Sequence, residues 1–250
     1  WAAARKNAGH MIFYLANANY RHADLFAPFD RVWCPSQFLC EYYRKTLGIE
    51  PEVLATDYDN QIVPCFADPG EVVPVTHLDV RKYCFVTFIN PAPYKGATLF
   101  FQLVNLAQKE RPDLTFLCVE GRFGFTEWTK RGIDLPGAPN VWCIPNQQDM
   151  RRVYRQTSVL LFPSYVNEAA GRAPVEAQLG GIPVLASNRG GIPDQLGDGG
   201  FLFDLPSGCA ENYLTVPGEE EVRPWMNTLA RLMDEEAYYI EAVERAYKAA

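Results

Sequence analysis

Short apolar runs alternate with helical patterns along most of this chain, and no other feature narrows its fold so far. The runs are Met11–Ala16, Arg31–Cys34, Glu52–Thr56, Tyr83–Ile89, Leu114–Val119, Val141–Ile144, Ser158–Phe162, Ile182–Ala186 and Phe201–Phe203. Most are apolar throughout rather than at every second residue, which is the pattern of strands covered on both faces. Between them, apolar residues recur at helical spacing. Phe38, Tyr42, Tyr43 and Leu47 share one face; so do Leu99, Phe100, Leu103 and Leu106, and so do Met150, Val153 and Tyr154. Strands alternating with helices predict an α/β fold, a parallel sheet with helices on both faces and right-handed crossovers.

Prolines and a glycine gather in Cys65–Val80, which reads as a linker. The expected organisation is a short N-terminal unit over 1–66, a linker over 67–80 and a larger unit over 81–250. Ser36 is placed to cap a helix beginning at the next residue. The tail from Glu219 to Ala250 is helical, with Val222, Trp225, Met226, Leu229, Leu232 and Met233 on a core face, continued by Ile240, Val243 and Tyr247.

The chemistry-bearing segment is Glu168-Ala-Ala-Gly171-Arg172-Ala-Pro174-Val-Glu176, followed by Gly180-Gly181-Ile-Pro183. It comes after the apolar run ending at Phe162. Glu168 therefore belongs to the loop leaving a strand, and Glu176 to the opening turns of a helix that starts near Pro174 and stops at Gly180-Gly181. A helix N-terminus attracts anions through unpaired N–H groups and the helix dipole. Two carboxylates beside a phosphate site suit a ligand with hydroxyls on either side of a diphosphate.

This segment resembles the E-x7-E signature of retaining glycosyltransferases of GT-B fold, especially glycosyltransferase family 4. The resemblance covers most of residues 81–210. Phe88-Ile-Asn90-Pro-Ala-Pro-Tyr-Lys95-Gly96 is similar to the family's strand, phosphate loop and helix opening. Asn146-Gln-Gln-Asp149-Met-Arg-Arg-Val-Tyr154 is similar to the helix before the signature strand. Ser187-Asn-Arg-Gly190-Gly191-Ile-Pro193-Asp194 and Gly199-Gly200-Phe-Leu-Phe are similar to the loops after it. By the same resemblance, Val32-Trp-Cys-Pro35-Ser36-Gln-Phe38 makes residues 1–66 a remnant of the GT-B N-terminal domain, and 81–250 the Rossmann-like nucleotide-sugar-binding domain.

The resemblance implies sugar transfer from a nucleotide sugar, UDP- or GDP-linked, with retention of configuration and no essential metal or other cofactor. It assigns catalysis to Lys95, Arg172 and Glu168, and donor contacts to Asn90, Lys95, Gly96, Ile144, Pro145, Glu168, Gly171, Arg172, Ala173 and Glu176. Glu176 takes the ribose, Glu168 the sugar, and the backbone of Gly171, Arg172 and Ala173 the phosphate. Ile144 and Pro145 border the base; their plainer reading is core packing and a strand stop. Two positions depart from the pattern: Asn90 stands where the family commonly has arginine, and Ala170 where it often has phenylalanine. Asparagine can donate to a phosphate oxygen but brings no charge. Two other readings are kept, a nucleotide-sugar 2-epimerase and a non-catalytic nucleotide-sugar-binding module. A dinucleotide-dependent dehydrogenase is disfavoured, since no G-x-G-x-x-G follows a candidate strand.

Composition limits the partners. A net charge of -7 argues against nucleic acid, and no apolar run approaches the roughly 20 residues of a membrane span. Seven cysteines without a C-x-x-C pair favour a reducing, cytoplasmic setting; a place at the membrane periphery for the full-length protein is left open. Asp57-Tyr58-Asp59 lacks the strand context and third ligand of a metal site. The chain opens on Trp1 and is read as a fragment, expected to bind a nucleotide diphosphate without turnover. The acceptor, whether a sugar, a lipid or another small molecule, is left open.

Overall fold

The computed structural model describes residues 2–54 and 84–250. The expected linker and Asp57-Tyr58-Asp59 lie outside the described residues. The described residues form two parallel sheets.

The first holds β1 (Ile12–Tyr14), β2 (Arg31–Cys34) and β3 (Glu52–Val53), in that order. Helix α1 (Ala2–Asn7) precedes it, and α2 (Gln37–Leu47) connects β2 to β3. Ser36 caps α2 as its sequence predicts, accepting from Leu39 N, and Gly48 ends the helix at φ 66°. The buried face of α2 is carried by Leu39, Cys40 and Tyr43, with Phe38, Tyr42 and Leu47 only partly buried beside it. Of the predicted face, Tyr43 lies in the core stripe, while Phe38 and Tyr42 lie beside it and Leu39 and Cys40 take the buried positions.

The second sheet contains β4 (Phe85–Ile89), β5 (Phe116–Val119), β6 (Val141–Ile144), β7 (Thr157–Phe162), β8 (Val184–Ser187) and β9 (Gly200–Phe203). Its order is β6-β5-β4-β7-β8-β9, all parallel. This is a doubly wound sheet whose order reverses between β4 and β7, and such sheets bind ligands at that reversal, outside the strands' C-terminal ends. Helices α3 (Ala97–Glu110), α4 (Phe125–Thr129), α5 (Arg151–Tyr154), α6 (Arg172–Leu179) and α7 (Ile192–Leu196) join the strands.

Strand β4 is central because both its faces are apolar. Phe88 stacks on Phe100 of α3 at 4.7 Å, and Phe100 meets Phe116 edge-on. Leu99, Phe100, Leu103 and Leu106 are all fully buried on α3, as their spacing predicts. Each such side chain contributes about 1.5–3 kcal/mol. Two buried hydroxyls of adjacent strands, Thr87 and Thr157, pair with each other at 2.7 Å. The tail forms α8 (Glu219–Asp234) and α9 (Glu236–Ala249). Trp225 of α8 stacks on Phe203 at 4.4 Å and so closes the β9 edge of the core.

Candidate functional site

The loop after β4 is built around one glycine. A 3-10 turn, Pro93–Lys95, meets α3 at Gly96, which takes φ 84°. A Cβ there would lie 1.9 Å from the carbonyl oxygen of Pro163 in the loop after β7. Only glycine lets the two loops close together. Tyr165 ties them further: its N–H donates to Tyr94 O at 3.0 Å, while its hydroxyl pairs with Thr98 Oγ1 at 2.9 Å and accepts from Leu99 N at 3.1 Å.

This closure puts Lys95 and Glu168 together across the point where the sheet order reverses. Lys95 Nζ forms an ion pair with Glu168 Oε1, and Ser164 Oγ donates to the same oxygen at 2.6 Å. Ser187, buried at the end of β8, donates to Ser164 O at 2.5 Å and so fixes the serine's backbone. Glu168's own backbone is held by Gly191 N, which donates to its carbonyl at 2.7 Å. Gly190, at φ 58°, fits against Glu168 so closely that a Cβ would lie 2.6 Å from Glu168 N. The Gly190-Gly191 segment is thus packed on Glu168.

At the same end of the strands, past Ile89 of β4 and the loop after β6, opens a cavity of about 510 Å³, within the usual range for small-molecule sites. Its wall runs from Ile89 at the end of β4, through Asn146–Gln148 after β6 and Met150 and Tyr154 around α5, to Arg172, Ala173 and Glu176 on α6. Glu176 is 4% exposed. Tyr154, itself buried, donates its hydroxyl to Glu176 Oε2 at 2.6 Å. No side chain caps α6 at Gly171, so the dipole end of that helix faces the cavity through Arg172 and Ala173. The helix begins at Arg172, two residues before the expected Pro174. Proline is tolerated there as well, because the first turn needs no intrahelical N–H donor at that position.

The sequence-derived residues thus divide. Arg172, Ala173 and Glu176 line the cavity, while Lys95 and Glu168 form the ion pair. Gly96 and Gly171 shape the backbone. Ile144 ends β6, and Pro145, exposed after it, opens the Asn146–Gln148 loop and accepts from Gln147 Nε2 at 2.8 Å. Asn90 sits at φ 64°, a left-handed conformation that asparagine adopts more readily than most residues. Its Oδ1 accepts from Phe123 N at 3.2 Å, stitching the loop after β4 to the one after β5. Three contributors were not singled out as site residues. Tyr154 and Ser187 entered only as members of longer motifs, Tyr154 also on an apolar face, and Ser164 carried no reading; a hydroxyl's partner has no signature in spacing.

A doubly wound parallel sheet with helices on both faces is the architecture of the GT-B fold. Residues 81–233 match the family model of the group 1 glycosyl transferases, and the chain belongs to that family. A D-inositol 3-phosphate glycosyltransferase of Corynebacterium kroppenstedtii is 35% identical over 121 residues, 44% of this chain and 27% of that protein. Another, of Streptomyces avermitilis, is 47% identical over 58 residues, 22% of this chain and 12% of that protein. The matched segments therefore span about a quarter or less of these curated relatives. Anabaena Alr3699/HepE, solved in complex with UDP and glucose, aligns with 95% of this chain and 65% of its own at TM-score 0.66 and 18% identity. WaaG, a glycosyltransferase involved in lipopolysaccharide biosynthesis, aligns with 96% of this chain and 70% of its own at TM-score 0.68 and 16% identity. These likenesses establish the fold. No helix among the described residues is long and apolar enough to cross a membrane.

Proposed function

We propose that this chain carries the donor site of an enzyme that transfers a sugar from a nucleotide sugar, UDP- or GDP-linked, to an acceptor with retention of configuration. The observation that carries this reading is the Lys95–Glu168 pair at the sheet reversal, with Glu176 in the cavity at the same end of the strands. HepE, of like fold, binds UDP and glucose, which supports a nucleotide sugar as the ligand.

In this reading the nucleoside enters the cavity and its ribose hydroxyls donate to Glu176, whose carboxylate Tyr154 already orients. The diphosphate lies between the α6 N-terminus, Arg172 and Lys95. As the bond between the anomeric carbon and the diphosphate oxygen breaks, negative charge collects on the leaving diphosphate. Fixed cations and helix N–H groups stabilise that charge without reorganising. Glu168 holds hydroxyls of the donor sugar. Its ion pair with Lys95 keeps both groups in place before the donor arrives.

The test is calorimetry with UDP, GDP and ADP, followed by nucleotide-release assays with the corresponding sugars and a panel of sugar and lipid acceptors. The reading expects saturable binding of UDP or GDP by this chain without turnover, and release of the diphosphate that increases with acceptor in the full-length protein. Absence of binding to all three nucleotides contradicts it. Conversion of donor alone to a 2-epimer establishes the epimerase reading instead.

A further inference from the structure

The segment Gly190–Asp194 is where the N-terminal unit meets the doubly wound domain. The N–H groups of the opening turn of α2 have no intrahelical acceptors. Leu39 N–H is satisfied locally by Ser36 Oγ at 3.2 Å. Phe38 N–H is satisfied by Asp194 Oδ2 at 2.8 Å, from a residue 156 positions later in the chain. The neighbouring Gln195 donates its Nε2 to Pro35 O at 3.1 Å. Consecutive residues of α7 thus grip the opening turn of α2 on both sides. A carboxylate suits the place, because a helix N-terminus carries partial positive charge.

The same short helix holds the site. Gln195 N donates to Gly191 O at 3.2 Å, and Gly191 N donates to Glu168 O at 2.7 Å. The joint has no slack. A Cβ on Gly191 would stand 2.4 Å from Ala169 O and 2.8 Å from Ser36 Oγ. Ala169, next to Glu168, packs on the N-terminal core that contains Leu39 and Tyr43. A shift of α2 is therefore passed through α7 to the backbone of Glu168.

We propose that Asp194 is a positioning residue: by capping α2 from the other unit it couples the docking of the N-terminal unit to the placement of Glu168. This rests on the reading above, in which Glu168 meets the donor sugar. Asp194 touches neither the cavity around Glu176 nor Lys95, so its effect falls on the sugar and not on the nucleotide.

The experiment compares Asp194→Ala and Asp194→Asn with the parent chain and with Glu168→Ala. Amide hydrogen exchange on the unliganded protein is the first readout. Asp194→Ala is expected to speed exchange at Phe38 and also at Gly191 by about fivefold, the usual weight of a helix cap, with α3 unchanged. Asp194→Asn, which keeps an acceptor oxygen, is expected to show a smaller effect and excludes misfolding as the cause. Faster exchange at Phe38 alone overturns the coupling. Calorimetry with UDP against UDP-glucose, and GDP against GDP-mannose, is the second readout. Asp194→Ala is expected to weaken the nucleotide sugar severalfold and leave the free diphosphate unchanged, with Asp194→Asn recovering most of the loss. If Glu168→Ala weakens the nucleotide sugar and Asp194→Ala does not, the coupling to the site is overturned. If Glu168→Ala itself has no sugar-specific effect, the reading of Glu168 fails, and exchange at Gly191 still decides whether Asp194 holds the joint.

Discussion

Glu168 and Glu176 stand eight residues apart, and different neighbours hold them. Glu168 is partly accessible and rests on a cation supplied by another strand's loop, with Ser164 as a second donor. Glu176 is buried on a helix and is oriented by a neutral hydroxyl, that of Tyr154. A charge pair at a site mouth can exchange partners with an anionic ligand, since incoming phosphate oxygens replace the carboxylate around the lysine. A buried carboxylate fixed by a hydroxyl cannot move so cheaply, because an unmet hydrogen bond there costs about 1–3 kcal/mol. One half of the site is therefore exchangeable and the other preorganised.

The largest expected effect breaks the loop half alone. Gly96→Ala places a Cβ against Pro163 O in a backbone conformation that alanine resists. Stability should fall by at least about 2–3 kcal/mol, measured as a lowered urea midpoint, with diphosphate binding lost together with it. An unchanged midpoint contradicts the close approach of the two loops.

Lys95→Ala comes next. It removes the cation without altering the backbone, and the affinity for a nucleoside diphosphate should fall roughly ten- to a hundredfold. That loss should shrink as salt is raised, since part of the interaction is screened. A salt-independent loss would mean that Lys95 acts by packing on Tyr94 and Phe162, whose rings lie 5.9 and 5.5 Å from its Nζ.

Tyr154→Phe sharpens the helix half. The ring stays and only the donor to Glu176 is lost. Nucleoside diphosphate affinity should drop by roughly threefold to tenfold, the weight of about 1 kcal/mol. Calorimetry showing no change would place the ribose elsewhere.

A smaller effect appears at high pH. Burial raises the Tyr165 phenol above its ordinary value of 10.0, outweighing the hydrogen bonds from Thr98 and Leu99 N, which lower it. A folded-state value above the unfolded one means that its contribution is intact below about pH 10 and is lost as pH rises beyond that. Chemical denaturation between pH 8 and 11 should show a steeper loss of stability in the parent than in Tyr165→Phe. The other raised tyrosines, Tyr14, Tyr43 and Tyr247, are common to both proteins and cancel in the comparison.

Much of this was legible in the sequence, and unevenly so. All nine candidate strand runs overlap a strand, because a continuous apolar run bounded by prolines, glycines and polar residues has few other outcomes. The ends moved by one or two residues, as at Ile182–Ala186, where the strand runs from Val184 to Ser187 after Pro183. The short helices Phe125–Thr129 and Ile192–Leu196 were not read, since five residues cannot establish a period. Lys95 and Glu168 were each legible from the motifs around them. Their pairing was not: it depends on β4 and β7 being neighbours although β5 and β6 intervene in the chain, and strand order leaves no mark on local spacing. Asn90 read as a phosphate donor, but its backbone conformation and its bond to Phe123 N depend on the adjacent β5 loop.

The central claim is that the two glutamates divide the donor between them, Glu176 taking the nucleoside and Glu168 the sugar. Calorimetry on Glu168→Ala and Glu176→Ala, each titrated with a free nucleoside diphosphate and with its sugar conjugate, tests it most directly. Glu176→Ala should weaken both ligands by roughly ten- to a hundredfold, whereas Glu168→Ala should weaken only the conjugate by a similar factor. Equal losses on both ligands in both variants would contradict the division.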